Sequence, residues 1–129
     1  MGWFVSGNKT KVVSQNTPNV LVKERLKKVE ISGRSRMTDP CDFYEQLENT
    51  LESCYRTFNN TLILEFRFEY INTGSSKLLY HMLSNLQSLA DTGGIVEVTW
   101  FYEEDDEIIE EAGEVLQSIL SIPFHMKEI

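Results

Sequence analysis

Three stretches with apolar residues at helical spacing alternate with three at strand spacing between residues 40 and 129. This alternation constrains the fold more than anything else in the chain. Phe43, Leu47, Leu51, Cys54 and Phe58 recur three and four apart, which predicts an amphipathic helix over about 40–58 with Asp39 as N-cap and Pro40 in its first turn. Asn59 and Asn60 break it, and Leu62, Leu64, Phe66, Phe68 and Tyr70 then alternate with Ile63, Glu65, Arg67 and Glu69 as one long strand. After a turn at Asn72-Thr73-Gly74-Ser75-Ser76, a second helical stripe runs through Leu78, Leu79, Met82, Leu83, Leu86 and Leu89 and stops near Asp91, before Thr92-Gly93-Gly94. Val96, Val98, Trp100 and Tyr102 alternate with Ile95, Glu97, Thr99 and Phe101 in a further strand. A third helix is expected from near Glu104, with Ile108, Ile109, Ala112, Val115, Leu116, Ile119 and Leu120 on its inner side. Pro123 closes it ahead of a short last strand at Phe124 and Met126.

Helices of this length between strands favour parallel neighbours joined by right-handed crossovers. Upstream, Val20–Val22 and Lys28–Ser32 read as two short strands able to pair as a hairpin, with Gly33 ending the second. The expected fold is therefore α/β: a single domain whose mixed β-sheet opens with an N-terminal hairpin and continues with helices alternating with strands. The first half of the 62–70 strand is apolar on both faces, as an inner strand would be, and the 95–102 strand is expected to be mostly covered on both faces. Residues 1–16, where Trp3 and Phe4 give way to polar residues without a period, are expected to form a loosely ordered N-terminal arm, and 17–129 the domain.

A chain of 129 residues fits one domain with a self-sufficient core. No apolar run approaches the roughly 18 residues of a membrane span, and the first twenty residues lack a secretory apolar stretch, so a cytoplasmic protein without a membrane partner is expected. The net charge of −8 is unevenly placed: Glu103, Glu104, Asp105, Asp106, Glu107, Glu110, Glu111 and Glu114 supply eight of the twenty acids, while the first 36 residues hold eight bases against only Glu24 and Glu30. A chain basic at one end and acidic at the other suits a protein partner better than nucleic acid, which needs a concentrated basic face. The acidic run lacks the carboxylate spacing of a cation loop and reads as a solvated helix face, so no metal is expected. Cys41 and Cys54 lie too far apart along one helix to bridge, and read as reduced, partly buried thiols. His81 and His125 fall in different elements with no matched nucleophile, so neither an enzyme nor a cofactor is indicated.

Chemistry is expected where the 62–70 strand turns into the next helix, since α/β sheets collect ligands and modifications at the carboxyl ends of their strands. Thr73, Ser75 and Ser76 place three hydroxyls beside unpaired helix-start amides and the positive end of the dipole. A phosphate on Thr73 could be held there by backbone donors, with Asn72, Gly74, Ser75, Ser76 and Lys77 shaping the site. The same residues also read as ordinary turn and capping chemistry. A third possibility is a sensor or carrier domain that binds a small anion or nucleotide at this helix N-terminus. The glycine-rich spacing of a P-loop is absent.

Three stretches carry a family resemblance: Ile31-Ser32-Gly33-Arg34-Ser35 leading into Phe43-Tyr44, Phe68 to Lys77, and Val98 to Glu107 with a closing Ile122-Pro123-Phe124. Through them the chain resembles the SiaC family of bacterial regulatory phosphoproteins from Thr17 onward. The resemblance implies a STAS-like fold, related to that of the SpoIIAA-type anti-sigma factor antagonists. Thr73 matches the phosphoacceptor position, and Asn72 stands where the antagonists usually have Asp. It further implies that a protein kinase phosphorylates Thr73 and a PPM-type phosphatase removes the phosphate. The unmodified form is then expected to bind and activate a diguanylate cyclase, with a cyclic-di-GMP, biofilm-type output.

Overall fold

The computed structural model describes residues 5–6 and 16–129. Among these described residues six strands and three α-helices follow in chain order: β1 (Val5–Ser6), β2 (Asn19–Lys23), β3 (Lys28–Ser35), α1 (Cys41–Thr57), β4 (Thr61–Ile71), α2 (Thr73–Ala90), β5 (Ile95–Tyr102), α3 (Glu107–Ile119) and β6 (Phe124–Glu128). The strands lie side by side in that same order. β2 and β3 form the expected antiparallel hairpin across a 3-10 turn at Glu24–Leu26, with Lys27 in the left-handed region. Every other neighbouring pair is parallel. Most of the expected arm at 1–16 lies outside the described residues; its Val5–Ser6 pairs with Leu21 and Val22.

From β3 to β6 each crossover steps to the next strand in the same direction, so right-handed connections put all three helices on one face of the sheet. That face is the core. Leu62, Leu64, Phe66 and Phe68 of β4, Val96, Val98 and Trp100 of β5, and Phe124 of β6 are buried beneath Leu47 and Leu51 of α1, Leu79, Met82, Leu83 and Leu86 of α2, and Ile109 and Leu116 of α3. Trp100 sits at its centre, with ring centroids of Phe66 and Phe68 each at 5.6 Å, and its Nε1–H donates to the Ile109 carbonyl at 2.9 Å. Gly113 lets α3 approach this closely, because a Cβ there would stand 2.6 Å from Trp100 Nε1 and 2.8 Å from Cγ.

The cover expected on both faces of β4 and β5 is corrected: among the described residues no helix lies on the second face. Its apolar positions are handled singly. Ile95 is exposed, and Phe101 is buried under the Arg67 guanidinium, 3.8 Å above its ring. On β2, β3 and β4 this face carries ion pairs such as Lys23–Glu30 at 2.7 Å and Lys28–Glu65 at 3.0 Å. Three further expectations change. Gly33 does not end β3 but occupies a register shift at φ 99°, a conformation glycine adopts freely, and the strand continues to Ser35. α3 begins at Glu107, with Asp106 as its N-cap, because Glu103–Asp105 form the preceding turn. Finally, Pro40 occupies the N-cap position of α1, while the Asp39 carboxylate accepts from the Cys41 amide at 3.3 Å.

Candidate functional site

β3, β4 and β5 run parallel, so their carboxyl ends and the N-termini of α1, α2 and α3 share one edge of the molecule. At its centre the five expected turn residues are not a turn: Asn72 is the N-cap and Thr73 already begins α2. Asn72 Oδ1 accepts from the Ser75 amide at 2.8 Å, and Asn72 Nδ2 donates to the Met37 carbonyl at 3.1 Å. One side chain thus caps α2 and ties it to the loop after β3. The Asn72 carbonyl takes the Ser76 amide and the Asn72 amide donates to Ser35. The first amides of a helix have no intrahelical acceptor, so those of Thr73 and Gly74 remain available on an exposed turn.

Thr73, Gly74 and Lys77 are exposed and Ser76 is half-buried, so four of the six expected site residues meet at the surface around the Asn72 cap. Ser75 does not join them. It is fully buried, and its hydroxyl belongs to a chain in which Ser35 Oγ lies 2.7 Å from Tyr44 Oη and donates to Ser75 Oγ at 2.8 Å. The first turn therefore presents two outward hydroxyls where three were expected. The cause was legible in the sequence, since Ser75 shares the i, i+4, i+7, i+11 register of Leu79, Met82 and Leu86. Burial drives the Tyr44 phenol up to about 12, partly opposed by its hydrogen bonds to Ser35 and Ser75.

Beside Thr73 lies a groove of about 380 Å³ between α2 and α3, lined by Thr73, Ser76, Lys77 and Tyr80 on one wall and Ala112, Val115 and Ile119 on the other. Ile71, Leu79, Trp100 and Leu116 complete it. The third helix was expected to turn all its apolar residues inward. Instead Ile109, Gly113 and Leu116 are buried, while Ile108, Val115 and Ile119 are 76%, 53% and 51% exposed. Two apolar registers, 109/113/116/120 and 108/112/115/119, run along thirteen residues. A helix packed on one side needs only the first.

Among the described residues no group of three or more His, Cys, Asp or Glu is placed to hold a metal ion. Nor is any helix among them long and apolar enough to cross a membrane. Cys41 is exposed, not partly buried as expected, and the hydrogen bond to Asp39 is the main cause that raises its thiol. Cys54, half-buried, is raised mainly by burial. Neither is an activated nucleophile.

The family model for the SiaC family regulatory phosphoproteins matches residues 10–129. The chain belongs to the SiaC family. An uncharacterised protein of Pseudomonas aeruginosa (strain UCBPP-PA14) is 24% identical over 111 residues, covering 86% of this chain and 88% of that one. Among solved structures, SiaC of Pseudomonas aeruginosa superposes with a TM-score of 0.80 at 22% identity, covering 92% and 95% of the two chains. The structure of the diguanylate cyclase SiaD in complex with its activator SiaC, from the same organism, also gives 0.80, at 23% identity and 91% and 96% coverage. The SiaC fold is therefore that of this chain.

Proposed function

We propose that this SiaC-family chain is a cytoplasmic, non-enzymatic binding switch. A protein kinase phosphorylates Thr73, a PPM-type phosphatase removes the phosphate, and the unmodified form binds and activates a diguanylate cyclase. One observation carries this reading: Thr73 is exposed in the first turn of a capped helix and at the same time lines an apolar groove, with Lys77 one turn on. A hydroxyl so placed is within reach of a kinase, and its phosphate reports directly to a surface suited to a protein. The modification adds about −1.5 to −2 charges, turning the Lys77-bearing rim from about +1 to about −1. A partner that excludes water from the groove would have to desolvate that dianion, so docking is disfavoured once Thr73 is modified.

The small-anion or nucleotide reading is weaker. The Ser75 hydroxyl is committed to Ser35 and its amide to Asn72, which leaves two amides and two exposed or half-exposed hydroxyls, beside an apolar groove, to hold a polar ligand. Phosphopeptide mapping of the protein from its native cell tests the proposal. Phosphate on Thr73 that rises when the phosphatase is removed is expected; phosphate found only on other hydroxyls would contradict it.

A further inference from the structure

We infer that the groove between α2 and α3 grips an amphipathic helix of the partner protein, one whose apolar stripe enters the groove and whose α3-facing flank carries Lys or Arg. The inference rests on the reading of this chain as a binding protein and specifies what the unmodified form holds. Ile108, Ala112, Val115 and Ile119 are spaced i, i+4, i+7 and i+11, so they form a straight stripe about 16 Å long, roughly three turns of helix. A stripe of this length beside an apolar cleft matches an α-helix laid along it, which presents its own apolar residues at the same interval.

Charge selects among such helices. Glu107, Glu111 and Glu114 follow the same i, i+4, i+7 spacing on the solvent side of the stripe, and all three are exposed. Glu103, Glu104 and Asp105 extend the acidic surface beyond the N-terminus of α3, and no Lys or Arg lies within α3 itself. The α3 rim is thus uniformly negative, whereas the α2 rim carries Lys77. An occupant with a basic flank against α3 complements that rim, and one with an acidic flank there is repelled. The same row of carboxylates disfavours an anionic membrane surface. Phosphorylation of Thr73 acts on the opposite rim, so the switch and the charge selectivity reside on different helices.

The test is a display selection on the unmodified full-length protein, using a library of 18-residue amphipathic helices with a fixed apolar stripe and flank charges randomised among Lys, Glu and Gln. Enrichment of sequences basic along one flank is expected. Selected peptides should bind at least about tenfold more weakly to Val115→Asp and to Ile119→Asp; both side chains are already half exposed, so the fold tolerates the change, as circular dichroism would verify. Glu111→Lys with Glu114→Lys should invert the flank preference. No enrichment over the Ile119→Asp protein, or enrichment without charge bias, would overturn the inference. So would transfer of the groove to another occupant, seen as Ile119-dependent self-association in sedimentation or Ile119-dependent binding to phosphatidylserine vesicles. A failed selection alongside mapped phosphate on Thr73 would remove the helix-binding groove and leave the switch standing.

Discussion

Asn72 does two jobs with one amide, and replacing it separates them. In Asn72→Ala the Ser75 amide loses its cap, which costs about 0.5 to 2 kcal/mol, and the half-buried Met37 carbonyl loses its donor, worth about another 0.5 to 1.5 kcal/mol. The sum is about 2 kcal/mol, or a fall in Tm of roughly 6 to 10 °C for a domain of this size. Asn72→Asp keeps an acceptor for Ser75 and gains about 0.3 to 1 kcal/mol from a carboxylate at the helix N-terminus. It also sets a carboxylate oxygen against the Met37 carbonyl, which Asn72 Nδ2 now approaches to 3.1 Å. Its stability should therefore lie between those of wild type and Asn72→Ala. Urea titrations followed by circular dichroism give the three values, and the chemical shifts of the Ser75 amide and the Met37 carbonyl carbon report the two bonds separately. If Asn72→Ala lost less than about 0.5 kcal/mol, or if only the Ser75 shift moved, the double tether would be refuted.

Gly113→Ala should destabilise by about 1 to 3 kcal/mol in spite of alanine's better helix propensity, because the new methyl meets the Trp100 ring; urea unfolding followed by tryptophan fluorescence measures it. Gly74→Ala should leave stability unchanged or slightly raised, since its Cβ would find Pro40 Cγ at 3.8 Å and Asn72 Oδ1 at 3.9 Å. A loss of partner binding in that variant would then locate the glycine's role at the interface. The Tyr44 phenol is raised from 10 to about 12 in the folded protein. The folded state therefore holds this proton more tightly than the unfolded one, and the associated stability, about 3 kcal/mol, is fully present below pH 10 and lost between pH 10 and 12. Unfolding free energies across that range in wild type and Tyr44→Phe test it, because the variant should lack this component of the slope.

The order of elements from α1 to β6 was legible because each segment's apolar period is long and unmixed. Phe43 to Phe58 sets one helix and Leu62 to Tyr70 one strand, and loops of a few residues leave the crossovers little choice. The single helical layer was harder to see. Phe101 and Ile63 look like core residues in an alternating pattern, and only the placement of Arg67 over Phe101 shows how a large apolar side chain is hidden on an open face. The start of α2 was misplaced because Thr, Gly and Ser are turn residues by propensity, while the cap from Asn72 and the docking of Ser75 onto Ser35 fix them as helix. The gathering of Thr73, Gly74, Ser76 and Lys77 around Asn72 at this edge was legible from the motif that holds them. The groove beside it was not, because periodicity counts the apolar residues of α3 without saying which of two registers meets the sheet.

The central claim is that a phosphate on Thr73 decides whether the chain docks onto a diguanylate cyclase. Calorimetric titration of the cognate cyclase with unmodified protein and with protein stoichiometrically phosphorylated at Thr73 measures it directly. The unmodified form should bind at least about tenfold more tightly, a difference of about 1.4 kcal/mol or more. Equal affinity of the two forms would contradict the claim.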